Sequence, residues 1–264
     1  AMPSLDEARL LDDLLAIAVD AGKEAMRIYG GDIAVDTKSD ASPVTEADRA
    51  CEAIILRGLE KSAPAIPVLA EESVAEGRIP ALGDEFFLVD PLDGTKEFIN
   101  KTGEFTINIA LIRGKKPVLG VVFAPAIRKL YGGVVGKGAF LVKVGENGAQ
   151  GPRKTIRTRP FPKDGLIAVA SRSHRTPETD AFLKTLDIAD FAAAGSSLKF
   201  CLIAEGVADV YPRHGRTMEW DTGAGQAVLE AAGGRVLALP EETPLGYSKV
   251  ERGYDNPHFI AWGQ

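Results

Sequence analysis

Cysteine and histidine are scarce in this sequence of 264 residues, which contains two cysteines and three histidines. Two thiols, Cys51 and Cys201, do not make a disulfide framework in a chain of this length, so we expect a reducing compartment and packing roles for both. The sequence also lacks a clustered Cys/His zinc pattern, a Gly-rich P-loop and a convincing Ser-His-Asp arrangement. These absences argue against three common kinds of catalytic site.

Long apolar runs and an excess of positive charge are missing as well. No uninterrupted apolar stretch approaches the length of a membrane-spanning helix, and the first residues are acidic, unlike a secretory signal. A net charge of −6 argues against a nucleic-acid polymer as the partner. We therefore expect a cytoplasmic monomer or homodimer without a transmembrane segment, with peripheral attachment to the inner membrane as the alternative location.

The remaining composition, 45% hydrophobic and 26% charged, is that of a globular protein. Residues 1–150 combine two helical patterns with several apolar segments that predict a largely antiparallel sheet. Residues 145–163 are rich in Gly, Pro, Lys and Arg without a clear period, and beyond them strands and helices alternate. The sequence thus predicts an N-terminal α+β half, 1–150, and a C-terminal α/β half, 151–264, joined in one compact unit.

Residues 84–98 contain the strongest motif of the chain. The apolar run 86–89 predicts a buried strand, which we expect to stop at Pro91 because proline cannot donate to a ladder. Asp90 and Asp93 then lie three positions apart at the strand end. Neighbouring carboxylates repel each other, and Mg²⁺ prefers carboxylates together with waters and phosphate oxygens. The motif therefore predicts a metal–phosphate site in the N-terminal half; an ordinary Asp-Pro-Gly turn is the alternative.

Three more acidic residues follow or open predicted elements. Glu71 comes directly after the apolar run 66–70, so a second strand end delivers a carboxylate, either as a third ligand or as a solvated acid. Asp48 has the spacing of a capping box with Thr45, and a functional role stays open because it begins a helix beside the core. Asp221 precedes a helix of small residues, where it is an N-cap or, if that helix faces the central motif, a further ligand.

Basic residues cluster in three places where a second phosphate could dock. The segment Ser171–Arg175 follows a predicted strand, and a phosphate site and a solvated loop are equally open for it. Gly195-Ser196-Ser197 with Lys199 offers amides, hydroxyls and an ammonium at a helix start. The third cluster consists of Arg213, His214 and Arg216.

Together these motifs resemble the Mg²⁺-dependent, lithium-sensitive phosphatases of the inositol monophosphatase superfamily. The resemblance rests on Glu71-Glu72-Ser73, Asp90-Pro91-Leu92-Asp93-Gly94-Thr95 and Trp220-Asp221-Thr222-Gly223-Ala224-Gly225, in this order. Within the superfamily, residues 195–201, Tyr211-Pro212-Arg213 and Lys96-Glu97-Phe98 are similar to the 3′(2′),5′-bisphosphate nucleotidases of the CysQ type. His214-Gly215-Arg216 departs from that branch, which usually has an aromatic residue, Gly and Pro there.

The resemblance implies a layered αβαβα sandwich like that of sugar phosphatases, with a mostly antiparallel N-terminal sheet and a smaller mixed C-terminal sheet. It implies two or three Mg²⁺ ions held by Glu71, Asp90, Asp93, Asp221 and the Leu92 carbonyl. Asp48 and Thr95 match the pair that orients and deprotonates the attacking water in the family. The resemblance implies a catalytic role for Glu71 as well. Contacts to the substrate are implied for Asp93, Gly94, Thr95, Ser196, Lys199, Arg213 and Asp221.

The activity implied by the resemblance is hydrolysis of the 3′-phosphate of 3′-phosphoadenosine 5′-phosphate to AMP and phosphate, a reaction connected to sulfate assimilation. An inositol or sugar monophosphatase with the same metal site is the nearest alternative. The basic clusters favour the nucleotide, because a bisphosphate needs a second set of cations. A metal-binding regulatory protein without turnover is a third reading, and the complete set of acids together with Thr95 argues against it.

Overall fold

The computed structural model describes residues 6–31, 35–37, 43–170 and 175–264. Helix α1 (Glu7–Tyr29) and helix α2 (Glu46–Ser62) are separated by an antiparallel ribbon of β1 (Val35–Thr37) and β2 (Pro43–Thr45). The carboxylate of Asp6 caps α1, and both helices contribute a buried apolar face to the core. Among the described residues, none of the helices combines the length and apolarity needed to cross a membrane.

The first sheet has seven strands in chain order, and its neighbouring strands are antiparallel except for the first pair. Two short helices, α3 and α4, follow its first two strands. The elements are β3 (Val68–Ala70), α3 (Glu71–Ala75), β4 (Glu85–Asp93), α4 (Thr95–Ile99), β5 (Thr106–Arg113), β6 (Lys116–Ala124), β7 (Lys129–Val134), β8 (Gly138–Lys143) and β9 (Lys154–Ile156).

The second sheet and its helices consist of β10 (Leu166–Ala170), α5 (Pro177–Leu183), β11 (Ile188–Ala193), α6 (Leu198–Ala204), β12 (Val210–Arg213), α7 (Glu219–Ala231), β13 (Arg235–Ala238), β14 (Thr243–Pro244) and β15 (Phe259–Trp262). The sheet is mixed, and its six strands lie in the order β11-β10-β12-β15-β13-β14. A single 3₁₀ turn, Val250–Arg252, precedes the last strand. Strands β10, β11 and β12 are parallel, and the others pair antiparallel.

The two sheets and the helices form five layers. Helices α1 and α2 pack on the outer face of the first sheet, α6 and α7 lie between the sheets, and α5 packs against the second sheet. This αβαβα sandwich, with a largely antiparallel first sheet and a smaller mixed second one, confirms the predicted fold class.

Small residues bring α7 close to the first sheet. A Cβ added to Gly120 of β6 would lie 2.7 Å from the carbonyl oxygen of Ala224, and one added to Gly223 would lie 2.8 Å from Leu88 Cδ2. Helix and sheet backbones therefore approach more closely than larger side chains allow. This contact holds the N-terminal turn of α7 over the strands that carry the central acidic motif.

Strand β4 continues to Asp93, and the prediction that it stops at Pro91 was therefore wrong. Asp90 pairs with Asn108 and Asp93 pairs with Thr106, so two residues of β4 face one residue of β5. Pro91 falls inside this irregularity, and pairing with β3 has already ended at Val89. The missing amide of Pro91 is thus not needed by either neighbour, which is how proline is tolerated at a bulge.

Two other stretches differ in detail from the sequence patterns. Residues 154–156, within the segment without a period, form β9 and complete the first sheet. Helix α7 begins at Glu219 with Met218 as the N-cap residue, two positions earlier than the spacing at Asp221 indicated. Both differences follow from contacts made by distant parts of the chain, namely β8 in the first case and Asp255 and Asn256 in the second.

Candidate active site

The irregular end of β4 presents two carboxylates and the start of a short helix. Asp90 is 1% exposed, and its Oδ1 accepts a hydrogen bond from the Leu92 amide at 3.3 Å. Asp93 is half-buried and is followed by Gly94, whose φ of 88° lies in the left-handed region that glycine tolerates. The chain therefore turns sharply after Asp93 and enters α4 at Thr95.

Asp221 of α7 joins these two carboxylates. One carboxylate oxygen from each of Asp90, Asp93 and Asp221 lies within 4.8 Å of the others. Asp221 is the third residue of α7, where its Oδ2 accepts a hydrogen bond from the Met218 amide at 2.8 Å. It acts as the acidic member of a capping box rather than as the N-cap itself. The same side chain thus caps the helix and completes the group of three.

Burial and mutual repulsion raise the pKa values of all three acids. Burial raises the pKa of Asp93 to about 8, with the charge of Asp221 adding to the rise and that of Lys199 opposing it. Burial raises the pKa of Asp90 well above its usual range, and the charges of Glu71 and Asp93 add to it. The pKa of Asp221 is raised by burial and by Glu71. Burial and the neighbouring acids therefore disfavour the ionised form of each carboxyl group, and the charges of Lys199 and Arg213 offset only part of this effect on Asp93 and Asp221.

Glu71 lies beside this group. It is the first residue of α3, which follows β3, the parallel neighbour of β4. A side-chain hydrogen bond joins the carboxyl groups of Glu71 and Asp90. The carboxyl ends of two parallel strands meet at one edge of a sheet, which explains why the two acidic strand ends converge.

Glu52 holds α3 in place, and the sequence patterns did not reveal it. It is a buried residue of α2 whose carboxylate accepts hydrogen bonds from the Glu72 amide and the Ser73 hydroxyl, both at 2.7 Å. Burial raises the pKa of Glu52. The available signal was a glutamate on the helix face that also carries the buried apolar residues Cys51, Ile55 and Leu59.

The capping box predicted for Thr45 and Asp48 is present. Asp48 is fully buried, and its Oδ2 accepts a hydrogen bond from the Thr45 amide at 3.1 Å. Helix α4, which begins with Thr95, lies near β2, the strand that ends at Thr45. The structure therefore brings the first turn of α2 and the first turn of α4 into one neighbourhood.

Two buried cations lie near the carboxylates. Lys199 is 5% exposed and its charge acts on Asp93; Arg213 is 8% exposed and its charge acts on Asp221. Within the part of the chain that the structure describes, neither side chain forms a salt bridge, and the buried Nε of Arg213 has no hydrogen-bond partner. Buried cations that form no salt bridge are costly unless an anion binds them.

Tyr211 connects the two cations. The Nζ of Lys199 lies 5.5 Å from the centroid of its ring, and Nη1 of Arg213 donates to its hydroxyl at 3.4 Å. Nη2 of Arg213 donates to the Arg216 carbonyl oxygen, also at 3.4 Å. Tyr211 had no assigned role in the sequence motif; its position two residues before Arg213 puts both on the same face of β12.

Ser196 and Ser197 lie where α6 begins, against the Asp93 turn. Ser196 donates its hydroxyl to the Glu104 carbonyl oxygen at 2.9 Å, and the Gly195 amide donates to the Glu104 carboxylate. The Ser197 hydroxyl lies 3.2 Å from Asp93 Oδ2. Glu104 was not recognised as a site residue, and Ser197 was considered only as part of a phosphate-binding helix start, because only the fold brings residue 104, residues 195–197 and Asp93 together.

The remaining basic candidates are not part of this group in the described chain. Residues 171–174 of the predicted phosphate loop lie outside the described residues. Arg175 points to Asp180, with Nε 2.5 Å from its Oδ1, and its guanidinium lies 5.2 Å from the Phe191 ring centroid. His214 is hydrogen-bonded to Thr179 at 2.9 Å and lies beside His258. Arg175 and His214 therefore belong to the contact between α5 and the second sheet.

The group formed by Asp90, Asp93 and Asp221 is a donor set made of carboxylates, without a thiol or an imidazole. Carboxylate oxygens select hard divalent cations such as Mg²⁺, Mn²⁺ and Ca²⁺, whereas zinc sites are richer in sulfur and nitrogen. A divalent cation would also remove the repulsion that raises the three pKa values. The residues present fit such an ion.

Residues 6–259 match the sequence model of the Inositol monophosphatase family. The chain belongs to the inositol monophosphatase family. The family is metal-dependent, in agreement with the acidic group described above.

Individual relatives within the family cover nearly the whole chain. A Shigella flexneri protein named 3′(2′),5′-bisphosphate nucleotidase CysQ is 44% identical over 252 residues, which are 95% of this chain and 98% of the relative. The protein of the same name from Escherichia coli strain K12 is 43% identical over the same shares of the two chains.

Solved structures of the family share the fold. CysQ from Bacteroides thetaiotaomicron, a bacterial member of the inositol monophosphatase family, has a TM-score of 0.78 at 38% identity, covering 96% of this chain and 97% of that one. Inositol monophosphatase from Anabaena (Nostoc) sp. PCC 7120 has a TM-score of 0.75 at 26% identity, covering 98% and 92%.

Proposed function

We propose that this protein is a Mg²⁺-dependent 3′(2′),5′-bisphosphate nucleotidase that hydrolyses the 3′-phosphate of 3′-phosphoadenosine 5′-phosphate to AMP and phosphate. The observation that carries the proposal is the pair of buried cations, Lys199 and Arg213, beside the three clustered carboxylates. One phosphate needs the metal, and a second needs cations of its own. The name of the relatives at 43–44% identity supports the same activity.

The metal site would consist of the side chains of Glu71, Asp90, Asp93 and Asp221 and the Leu92 carbonyl, with two or three Mg²⁺ ions. Bound there, Mg²⁺ supplies positive charge against the phosphate oxygens and makes a nearby water more acidic. The carboxylates hold this charge at one edge of the first sheet because Asp90 and Asp93 are rigidly placed by the β4 irregularity. The backbone amides of Gly94 and Thr95 would donate to the phosphate that is cleaved.

The proton of the attacking water would leave through Thr95 and Asp48. The Thr95 hydroxyl accepts the proton from the water while donating its own to Asp48, so that the buried carboxylate ends protonated. Asp48 is fully buried, and the hydrogen bond from the Thr45 amide to its Oδ2 fixes this carboxylate at the start of α2. Glu71, whose carboxyl group is hydrogen-bonded to that of Asp90, would help to orient the water.

The nucleotide would occupy the space between the carboxylates and the second sheet. Lys199 and Arg213 would bind the phosphate that is not cleaved, with the backbone amide of Ser196 as a further donor, since the Ser196 hydroxyl donates to the Glu104 carbonyl oxygen. Asp93 and Asp221 would accept hydrogen bonds from sugar hydroxyls. An ammonium and a guanidinium held by one aromatic residue, Tyr211, form a fixed pair of positive charges, so little side-chain entropy is lost when the anion binds.

The two halves, 1–150 and 151–264, would act as one catalytic unit, since each supplies carboxylates to the same group. We propose that this unit works in the cytoplasm in connection with sulfate assimilation, as a monomer or homodimer with one site per chain. The activity would be lithium-sensitive, because Li⁺ competes for a site built for a small hard cation.

Phosphate release measured side by side on three substrates tests the proposal: 3′-phosphoadenosine 5′-phosphate, inositol 1-phosphate and fructose 1,6-bisphosphate, each with Mg²⁺ and with EDTA. We expect the highest kcat/KM for the nucleotide, no release in EDTA and inhibition by LiCl. A preference for inositol 1-phosphate would assign the site to the inositol monophosphatases instead. Release unaffected by EDTA would contradict the metal-dependent mechanism.

A further inference from the structure

Ser197 precedes a helix that its side chain does not cap. It is the N-cap residue of α6 and is 1% exposed, yet its hydroxyl makes no capping hydrogen bond. The hydroxyl lies 3.2 Å from Asp93 Oδ2 and 3.3 Å from the carbonyl oxygen of Asp221. A serine at this position normally accepts a hydrogen bond from the first turn of its own helix. The requirements of α6 therefore do not account for the orientation of this side chain.

The hydroxyl has two acceptors and one proton. It donates either to the Asp93 carboxylate or to the Asp221 carbonyl oxygen at any moment. A carboxylate binds a metal ion in its ionised form, and a hydrogen bond to an ionised acceptor is roughly twice as strong as one between neutral groups. The Ser197 proton is therefore directed to Asp93 when that residue is ionised as a metal ligand.

The segment that carries Ser197 is anchored to the strands that carry Asp93. The Gly195 amide and the Ser196 hydroxyl both donate to Glu104. Glu104 lies two residues before Thr106, which pairs with Asp93 across β4 and β5. Ser196 has a φ of 50°, a backbone region that non-glycine residues seldom adopt. The Ser197 hydroxyl is thus held in a defined place relative to Asp93, at a cost in backbone strain.

We propose that Ser197 is a positioning residue of the metal site, whose hydroxyl holds the Asp93 carboxylate in the orientation that binds the cation. Ser197 acts through Asp93 and is not itself a ligand. The inference rests on the proposed function insofar as the cation is the Mg²⁺ of the phosphatase. Side chains that orient metal ligands contribute about 10- to 100-fold to metal affinity in other sites.

The test is Mg²⁺ binding to the metal-free full chain by isothermal titration calorimetry, for wild type and S197A. We expect a dissociation constant about tenfold higher or more in S197A. In Mg²⁺ titrations of phosphate release, the half-saturating Mg²⁺ concentration rises, while kcat at saturating Mg²⁺ changes less. A loss of folding would instead lower the unfolding temperature in EDTA, which is recorded for every variant.

Two further variants separate a positioning role from a general packing effect. S197T keeps the hydroxyl and should bind Mg²⁺ more tightly than S197A. T158V removes a hydroxyl that donates to the Ala232 carbonyl oxygen at 3.4 Å, away from the acidic group, and should bind Mg²⁺ like the wild type. Wild-type affinity in S197A, or equal losses in S197A and T158V, would overturn the proposal.

Calorimetry needs no substrate, so this result is independent of the proposed function. If the wild type binds Mg²⁺ but releases no phosphate from 3′-phosphoadenosine 5′-phosphate, the nucleotidase proposal fails. The comparison of S197A with wild type then still decides whether Ser197 positions Asp93. If S197A matches the wild type in calorimetry while the wild type turns over the nucleotide, the Ser197 inference alone fails.

Discussion

At Asp93, three kinds of interaction meet in one side chain. One of its carboxylate oxygens lies within 4.8 Å of those of Asp90 and Asp221, and its Oδ2 lies 3.2 Å from the Ser197 hydroxyl. Burial and the charge of Asp221 raise the pKa of Asp93, whereas the positive charge of Lys199 lowers it. Asp93 of the first sheet thus interacts with the start of α6, with α7 and with Lys199.

Asp93→Asn should abolish turnover and leave the fold intact. The amide keeps the shape and one oxygen but lacks the negative charge that the metal requires, and it relieves repulsion in the metal-free protein. Phosphate release and the Mg²⁺-induced rise in unfolding temperature measure the two effects. Mg²⁺-dependent activity near that of the wild type would refute the role assigned to Asp93.

Arg213→Met should affect a bisphosphate substrate more than a monophosphate. A hydrogen bond to a charged group contributes about 1.5–3 kcal/mol, so we expect kcat/KM for 3′-phosphoadenosine 5′-phosphate to fall roughly 10- to 150-fold. The ratio of kcat/KM for the nucleotide and for inositol 1-phosphate is the measurement. Arg216→Met is the matched control, because Arg216 is exposed and contributes its carbonyl oxygen rather than its side chain. Equal falls on both substrates would remove Arg213 from the second phosphate site.

At the level of secondary-structure elements, residues 245–256 hold the first turn of α7 in place. The Glu219 carboxylate, fully buried, accepts hydrogen bonds from the Ser248 and Lys249 amides at 2.8 Å and lies 3.0 Å from Lys249 Nζ. Asn256 donates to the carbonyl oxygen of Met218 and to the Thr222 hydroxyl, both at 3.0 Å. These contacts fix residues on both sides of Asp221 in the sequence.

Lys249→Met should destabilise the fold, because it leaves the buried Glu219 carboxylate without its cation. Removing one partner of a buried ion pair typically costs about 3–5 kcal/mol. Urea unfolding of the metal-free protein measures this cost. Arg252→Met removes an exposed ion pair with Asp255 in the same segment and should cost less than about 1 kcal/mol. Similar costs for the two variants would show that Glu219 does not depend on Lys249.

At the scale of the whole molecule, the acidic group couples stability to pH and to metal. Burial raises the pKa of Asp93 from 3.8 to about 8 and also raises the pKa values of Asp90 and Asp221. A carboxyl group with a higher pKa in the folded state binds more protons there than in the unfolded chain. Its stabilising effect is full below the unfolded value and is lost as the pH rises towards the folded value.

The metal-free protein should therefore become less stable as the pH rises from about 4 towards 8. Asp93→Asn should reduce this decline, and saturating Mg²⁺ should reverse it, since metal and protons compete for the same oxygens. Unfolding temperatures in EDTA and in Mg²⁺ across this pH range measure both effects. A decline of equal steepness in Asp93→Asn would contradict the role of Asp93 in the coupling.

Much of the architecture could be predicted from local patterns. The helices of the first half, the antiparallel strands after the central motif and the alternation in the second half follow from short-range periodicity, which depends on neighbouring residues alone. The extent of β4 was misjudged at Pro91, because a bulge against β5 decides whether a proline can remain in a strand. Strand β9 was missed for a similar reason, since its pairing with β8 makes it a strand.

The amino-acid sequence by itself determined which side chains carry the chemistry: acids at two strand ends and at a helix start, and a lysine and an arginine in motifs similar to those of the inositol monophosphatase family. Only the tertiary structure decided that Asp221 meets Asp90 and Asp93, that Tyr211 joins Lys199 to Arg213, and that Glu104 and Asp93 hold the start of α6 against the first sheet. Side-chain type is a local property of the chain. A hydrogen bond between segments far apart in sequence depends on the packing of all the layers between them.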